Sequence, residues 1–217
     1  MTGPVMDRPR RLFSRLYVRA CRGMEAEGMA ELRRELLADL SGEVVEVGAG
    51  NGMNFGHYPR AVKLVVAVEP EPYLRDRAVR AAVDASVLVR VERGTAERLP
   101  LPDASVDVAV LCLVLCSIQD RAAAIDELRR VVRPGGELRF LEHTVAVTAG
   151  LRRVQWVADA TVWPLLAGGC HTAVDALATI TAGGFTVTSL RTLRFPDRRL
   201  TLPTTPHVLG RAAAPPP

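Results

Sequence analysis

The stretch EVVEVGAGNGMNFGHYP, from Glu43 to Pro59, places a glycine-rich turn directly after a Val-rich run. Runs of this kind are typical of a buried strand in a parallel sheet. Gly48, Gly50 and Gly52 carry no side chains, so a ligand can lie against the backbone of the turn, and they tolerate positive φ. Ligands of open α/β sheets bind at the carboxyl ends of the strands. The stretch therefore predicts a ligand-binding turn.

The glycine spacing and the residue before it disfavour a phosphate ligand. A nucleotide-triphosphate loop needs GxxxxGK followed by Ser or Thr, and this turn contains no Lys. A dinucleotide loop needs G-x-G-x-x-G, whereas the spacing here is G-x-G-x-G. The carboxylate of Glu46 at the strand end would repel a diphosphate and would attract an ammonium group. We therefore expect a ligand that is cationic or zwitterionic on that side.

Two further acidic residues extend the pattern along the predicted sheet edge. Glu69 ends the run LVVAVE, where a carboxylate can accept hydrogen bonds from both hydroxyls of a ribose. Glu97 follows the third strand and can accept from an adenine amino group, while the Ala96 amide can reach a ring nitrogen. An amino acid, a ribose and an adenine in this order describe S-adenosylmethionine.

Strand-like and helix-like segments alternate along the chain, which predicts a parallel sheet with helices on both faces. The predicted strands are EVVEV, KLVVAVE, SVLVRVE, VDVAVLCL and GELRFLEH, with TVTSLRTLRF and TTPHVLGRAA as a late antiparallel pair. The predicted helices are RLFSRLYVRACRGM, MAELRRELLADL, YLRDRAVRAAV, DRAAAIDELRRVV and TAVDALATITAGGF.

Composition narrows the class of protein further. The 217 residues suit one domain with a sizeable core. The net charge of +4 is spread over separate arginines, which favours solvated helix faces over a nucleic-acid surface. The four cysteines lack metal-site spacing, so we expect reduced thiols, no metal and a cytoplasmic location. No signal peptide and no apolar run of the ~18 residues that span a membrane is found.

The segments VVEVGAGNG, VVAVEP, GTAERLPLPDASVDVAV and ELRRVVRPGGELRFLEH resemble, in this order, class I S-adenosylmethionine-dependent methyltransferases. The resemblance covers roughly Leu40 to His143. It implies a Rossmann-like α/β fold with a seven-stranded, mostly parallel sheet, helices on both faces and a reversed last strand. We expect a helical lid over residues 1–40, a cofactor-binding domain over 41–211 and a Pro-rich tail over 212–217.

The same resemblance implies which residues surround S-adenosylmethionine. They follow the methionine, ribose and adenine moieties in turn: Glu46, Gly48, Ala49, Gly50 and Gly52 at the methionine, Glu69 and Pro70 at the ribose and adenine, Thr95, Ala96 and Glu97 at the adenine, and Cys112 and Leu113 lining the cleft.

Three other segments, SVDVAVLCLVLCSIQD, RPGGELRFLEH and LLAGGCHTAVDAL, resemble the thiol methyltransferase branch of this class. Some relatives in that branch are labelled phospholipid N-methyltransferases by similarity. The sequence given lacks the long apolar N-terminal anchor of the membrane members. The resemblance implies methylation of a small apolar metabolite, either at a thiol or at a phenolic oxygen, by a monomer or homodimer. The alternatives are a phospholipid headgroup amine and a cofactor-binding module without turnover.

Two histidines are candidates for chemistry. His143 follows the fifth strand and either assists a protonated acceptor or satisfies a loop carbonyl. Glu142 either orients His143 or caps the next segment. His171 precedes a predicted helix and either lines the substrate pocket or packs at the helix entry.

Aromatic residues are candidates for covering the site. Tyr17 in the first predicted helix could fold over the cofactor carboxylate, as a lid residue does in relatives of this fold. Trp156 and Trp163 are predicted on one face of a single helix before Pro164, where they either roof an apolar pocket or pack in the core.

Overall fold

The computed structural model describes residues 11–216, with side chains from Phe13 onward. Seven strands form its centre: β1 (Gly42–Val47), β2 (Val62–Val68), β3 (Val89–Glu92), β4 (Val106–Cys112), β5 (Val132–His143), β6 (Thr186–Arg194) and β7 (Pro206–Ala213). The helices are α1 (Arg11–Met24), α2 (Ala30–Leu37), α3 (Pro72–Val83), α4 (Arg121–Val131), α5 (Ala149–Asp159), α6 (Trp163–Leu166) and α7 (Ala176–Ala182).

The sheet has the strand order β3-β2-β1-β4-β5-β7-β6. Strands β1 to β5 pair in parallel, while β7 runs antiparallel to both β5 and β6. Only the last strand is therefore reversed, and the predicted fold class and late hairpin are confirmed. The first strand lies between β2 and β4, with Val44 opposite Val65 on one side and Val108 on the other.

Both faces of the central strands are buried, which explains their near-continuous Val content. Val45 and Val47 point into a core that includes Ile125 and Leu128 of α4. Val44 points to the opposite face, into a core that includes Leu36 of α2. A layer of helices therefore covers each face of the sheet. The carboxyl ends of the parallel strands lie together along one edge, which we call the rim.

The described part of residues 1–40 is helical as far as Leu37, while the lid predicted over this segment stays a prediction. A π-helical segment, Glu25–Met29, joins α1 to α2, and Gly28 within it has a φ of 106°. Such a φ favours glycine, because other L residues are strained there. Residues 1–10 of the predicted lid lie outside the described residues.

The prediction that Trp156 and Trp163 share one helix is wrong. Helix α5 ends at Asp159 and α6 begins at Trp163, with Pro164 in its first turn. A proline within a helix lacks the N–H donor and clashes with the carbonyl four residues earlier, so Pro164 disfavours continuation of α5 and is tolerated in the first turn of α6. Trp156 is 57% exposed, which also excludes a core position for it.

The C-terminal boundary differs slightly from the predicted one. Strand β7 continues through Ala212 and Ala213, which pair with Leu138 and Glu137 of β5. The sheet therefore includes two residues of the segment predicted as tail, 212–217. Among the described residues, none of the helices combines the length and apolar character that crossing a membrane requires.

Candidate active site

The turns after β1 and β4 meet where the strand order changes direction. The chain leaves β1 towards β2 and leaves β4 towards β5, on opposite sides. Gly48 has a φ of 67°, and a Cβ added to it would lie 2.3 Å from Val114 Cγ2. The approach of the two turns therefore requires glycine at this position, and ligands of open α/β sheets bind at such a switch point.

Glu46 is buried near the glycine turn, and each of its carboxylate oxygens accepts one hydrogen bond. Its carboxylate accepts from Asn54 Nδ2 at 2.9 Å and from the Tyr58 hydroxyl at 2.7 Å. Burial raises the pKa of Glu46 to about 7, although both hydrogen bonds oppose this shift. The residue therefore holds the turn in shape as well as presenting negative charge to it.

Arg33 of α2 connects the N-terminal helices to both turns. Its Nη1 donates to Asn54 Oδ1 at 2.7 Å and to Cys112 Sγ at 3.2 Å, and its Nε donates to Glu25 at 2.8 Å. Burial raises the pKa of the Cys112 thiol to about 11, although the Arg33 charge opposes it. Cys112 is therefore a neutral packing group at the end of β4, beside Leu113.

Sequence reasoning missed Arg33, although the sequence contained a signal for it. Met29, Arg33, Leu36 and Leu40 follow one another at the spacing of a single helix face, and all are buried. A lone arginine on an otherwise apolar stripe needs a buried partner, because an unpaired buried charge is costly. The pattern indicates such a partner but cannot say that it is Asn54.

Acceptor oxygens gather at the end of β2, as the ribose prediction requires. Glu69 is buried and accepts from the Gly50 N–H at 2.7 Å and the Glu71 N–H at 2.9 Å, and burial raises its pKa to about 7. Glu71 caps α3 through the Leu74 N–H, while its Oε1 is buried with no hydrogen-bond partner among the described residues. That oxygen suits a hydroxyl donor, and Glu71 was missed from the sequence.

The remaining predicted cofactor residues lie on turns at the same rim. Thr95 to Arg98 form a tight turn after β3, in which the Arg98 N–H donates to the Thr95 carbonyl. Ala96 packs against the core, Glu97 is half-buried and Pro70 is exposed after β2. Their contacts with adenine stay predictions.

Helix α1 packs against two loops at this rim. A Cβ on Gly50 would lie 3.5 Å from Tyr17 Cε1 and 3.6 Å from its hydroxyl, so the tyrosine ring lies over the glycine turn. A Cβ on Gly168 would lie 2.3 Å from Phe13 Cε1. One helix therefore touches both the glycine turn and the loop before Cys170, while the lid role of Tyr17 stays a prediction.

His143, Cys116 and Cys170 come together beyond the end of β5. His143 Nε2 lies 3.3 Å from Cys170 Sγ, and one possible ligand atom from each residue lies within 4.8 Å of the others. His143 Nδ1 is buried without a partner among the described residues. Cys116 lies in a short 3-10 turn after β4, and its Sγ is 3.9 Å from the Leu113 carbonyl. The group, which we call the Cys–His cluster, therefore adjoins the predicted cofactor cleft.

The charges within the Cys–His cluster favour a thiolate beside an imidazolium. A hydrogen bond from Cys116 and the contact with His143 lower the pKa of Cys170 well below its ordinary value. Burial opposes the charged form of His143, but the hydrogen bond with Cys170 raises its pKa above the ordinary value. The pKa of Cys116 is raised by its hydrogen bond with Cys170 and by burial.

Glu142 does not carry out the orienting role considered for it. Its carboxylate accepts from the backbone N–H of Val114 at 3.0 Å and of Leu115 at 3.2 Å. Burial raises its pKa to about 7. Glu142 therefore caps the turn after β4, rather than the segment that follows it in sequence.

His171 lies away from the glycine turn, beside an open surface pocket. Its side chain is 44% exposed, with Nδ1 3.8 Å from Asp159 Oδ2. It lines an open pocket of about 840 Å³ together with Arg121 and Asp175, and none of the predicted cofactor residues line that pocket. The structure does not bring His171 to the glycine turn, and its catalytic role stays a prediction.

Comparisons with known proteins identify the class that this fold and rim define. A methyltransferase-domain family model matches residues 45–140. Mouse thiol S-methyltransferase TMT1B is 34% identical over 85% of this chain and 79% of its own length. The chain belongs to the class I S-adenosylmethionine-dependent methyltransferases.

Two further similarities agree with this class. Human thiol S-methyltransferase TMT1A is 32% identical over 78% of this chain and 74% of its own length. The structure of a geranyl diphosphate methyltransferase in complex with S-adenosylmethionine aligns with a TM-score of 0.65, covering 87% of this chain and 85% of that one, at 12% identity. At that identity the solved structure supports the fold alone.

The rim fits the cofactor of this class. S-adenosylmethionine supplies an electrophilic methyl group on a cationic sulfonium when bound. Glu46 offers a buried carboxylate for its ammonium group, and Glu69 with the unpartnered Oε1 of Glu71 offers acceptors for ribose hydroxyls. The glycines themselves carry no side chains, so the backbone of the turn can lie against the methionine part, beside the Tyr17 ring that covers Gly50.

Proposed function

We propose that this methyltransferase transfers the methyl group to the sulfur of a small, apolar thiol. The main support for this proposal is that the chain is similar to thiol S-methyltransferases over most of its own length and of theirs. The acceptor would arrive beside the Cys–His cluster, which adjoins the turn after β4 through the Leu113 carbonyl. Phenolic oxygens and phospholipid headgroup amines are the competing acceptors.

The surroundings of Cys170 support an apolar acceptor. Val162, Leu165 and Leu166 are each more than half exposed on or beside α6, and Cys170 follows α6 within four residues, with its N–H donating to the Ala167 carbonyl. Apolar side chains around a polar centre are typical of small-molecule sites. An apolar body would pack on this surface while its thiol reaches the cluster.

The chain's own residues would act by positioning and by assisting ionisation of the thiol. Methyl transfer is a displacement in line with the sulfonium, and holding the reacting atoms in near-attack geometry supplies much of the acceleration. The thiolate is the nucleophilic form, and a thiol of pKa ~8.5 is only about 3% ionised at pH 7. We assign His143 to this assistance.

The test is S-adenosylhomocysteine release from the purified protein with small thiols, phenols and phosphatidylethanolamine vesicles. We expect turnover with apolar thiols. At pH 7, His143→Ala should lower kcat/KM by up to about 30-fold, since full ionisation of a thiol of pKa ~8.5 gains about that factor. The loss should shrink above pH 8.5, where the free thiol ionises unaided. His57→Gln, a half-buried histidine outside the cluster, is the matched control.

The same panel contains the results that would overturn the proposal. Turnover only with vesicles would establish the lipid headgroup as acceptor, and turnover only with phenols would establish O-methylation. Cofactor binding without turnover on any thiol would favour the binding module. The cytoplasmic location, the monomeric or homodimeric state and the exclusion of nucleic acid stay predictions from the sequence.

A further inference from the structure

The Cys–His cluster has the composition of a metal site, although its residues show no metal-site spacing in the sequence. Two thiols and one imidazole point at a common centre, and their ligand atoms lie within 4.8 Å of one another. Three separate elements supply them: the turn after β4, the end of β5 and the loop after α6. Cysteine sulfur and histidine nitrogen are the ligands that zinc prefers.

The distances agree with tetrahedral coordination. Zinc bonds of about 2.3 Å to sulfur and about 2.0 Å to nitrogen, at tetrahedral angles, place a sulfur and a nitrogen ligand about 3.5 Å apart. The observed separation of Cys170 Sγ from His143 Nε2 is 3.3 Å. This pair therefore needs to move apart by only a few tenths of an ångström to accept the ion, and Cys116 supplies the third ligand atom within 4.8 Å of both.

The electrostatic surroundings also suit a cation. Two acidic side chains lie close to the cluster: Glu142 directly precedes His143, and the Asp159 carboxylate accepts from the N–H groups of Thr172 and Ala173, which follow Cys170 closely in the chain. A thiol pair in such surroundings gains from a divalent ion.

Exposure of the cluster is uneven, and this indicates where a fourth ligand enters. His143 and Cys116 are buried, whereas Cys170 is half-buried on the loop after α6. Three protein ligands with one open side are typical of catalytic zinc, whereas structural zinc is closed by four.

We propose that Cys116, His143 and Cys170 bind a zinc ion whose fourth position accepts the sulfur of the substrate thiol. Binding of the ion releases the thiol protons of the cysteines to solvent. The acceptor thiol loses its proton to solvent when its sulfur coordinates. That sulfur then forms a bond to the methyl carbon while the bond from the sulfonium to this carbon breaks, and its electron pair leaves with S-adenosylhomocysteine. No oxidation or reduction occurs. The assignment of the fourth ligand rests on the proposed function, whereas binding of the metal itself does not.

The first experiment measures metal binding by the whole, unmodified chain. Purified protein is titrated with Co²⁺ and then with Zn²⁺. We expect thiolate-to-cobalt charge-transfer absorption, tetrahedral d–d bands, displacement by zinc and about one ion per chain. No variant is needed for this step, so a folding defect cannot produce a false negative.

Variants then assign the ligands. Cys116→Ser and Cys170→Ser should each weaken zinc binding by more than about 100-fold, since loss of even an outer partner of a ligand costs 10- to 100-fold. Cys21→Ser removes a cysteine outside the cluster that is buried like Cys116, and this variant should bind zinc like the parent chain. Absence of the cobalt bands, or unchanged zinc affinity in both cluster variants, overturns the metal site.

The fourth ligand is tested separately with 2-phenylethanethiol added to the cobalt-loaded protein. A stronger charge-transfer band and shifted d–d bands are expected if its sulfur coordinates. An unchanged spectrum overturns the assignment of the fourth ligand but leaves the metal site in place. Zinc binding without methyl transfer to any thiol would instead contradict the proposed function, so the two failures are distinguishable.

Discussion

Arg33 offers a sharp test of how the N-terminal helices support the cofactor rim. The change is Arg33→Met, which keeps most of the apolar stem and removes the guanidinium. It deletes hydrogen bonds to Asn54 at 2.7 Å, to Glu25 at 2.8 Å and to Cys112 at 3.2 Å. Asn54 is 1% exposed, so water cannot replace its lost partner.

The expected magnitude follows from these contacts. Hydrogen bonds to charged groups contribute about 1.5–3 kcal/mol each, and breaking a buried ion pair costs about 3–5 kcal/mol. The Glu25 side chain is 18% exposed and can partly regain water, which lowers the cost. We therefore expect the free energy of unfolding to fall by about 2–4 kcal/mol. This is a large share of the 5–15 kcal/mol typical of a domain.

Arg34 is the matched control, because it is the next residue on the same helix. Its side chain is 58% exposed and pairs with an exposed Glu31. Surface pairs of this kind contribute at most about 1 kcal/mol, so Arg34→Met should change the stability by less than about 0.5 kcal/mol. Both variants are compared by urea denaturation followed by circular dichroism.

Cofactor binding provides the second measurement on the same pair of variants. Without Arg33, Asn54 no longer holds the Glu46 carboxylate in one orientation. Loss of one positioning hydrogen bond of about 1 kcal/mol should raise the Kd for S-adenosylhomocysteine about fivefold. If the Arg33→Met and Arg34→Met chains have equal stability and equal Kd, the inference that the buried Arg33 network supports the rim is refuted.

Three further predictions concern the rim itself. Gly48→Ala should lower the free energy of unfolding by about 2–5 kcal/mol, because the φ of 67° is left-handed and the new Cβ would overlap with Val114. In a double-mutant cycle, adding Val114→Ala should recover about 1–3 kcal/mol of this loss. Simple additivity of the two changes would refute the contact. Because burial raises the pKa of Glu46 from 4.5 to about 7, its protonated form contributes stability that is present below pH 4.5 and is lost as the pH rises through 7. A bound ammonium group favours the ionised form of Glu46. Calorimetry should therefore show that the affinity for the cofactor rises between pH 4.5 and 7, and that the affinity of Glu46→Gln changes less with pH. Glu97→Ala should raise the Kd for S-adenosylhomocysteine about 10- to 100-fold and Glu97→Gln much less, and an unchanged Kd in both would exclude the adenine contact.

The fold and the position of the rim could be predicted because their signals are local. Strands β1, β2 and β4 are short Val-rich runs, and the turn after β1 combines glycines with an acidic residue at the strand end. Gly48 and Gly50 have the positive φ values that such a turn requires. Backbone constraints of this kind are visible in single residues, which is why the sequence indicates the turn.

The Cys–His cluster could not be predicted, because its residues are far apart in sequence. Its formation depends on β4 and β5 being neighbours and on the loop after α6 returning to their ends. The short spacing rules that identify zinc sites in sequences apply to ligands on one loop or hairpin. Three ligands on three elements carry no such spacing.

The buried carboxylates at the strand ends explain why the rim suits a cationic cofactor. Glu46, Glu69 and Glu142 end β1, β2 and β5, and burial raises the pKa of each to about 7. Each also accepts hydrogen bonds from a side chain or backbone of a neighbouring turn, so none could be replaced by an apolar residue without orphaning those donors. These buried carboxylates therefore hold the turns in place, although burial by itself disfavours their charged form. We expect the ammonium and sulfonium of S-adenosylmethionine to supply the opposite charge, in which case the residues that shape the rim would also select its ligand.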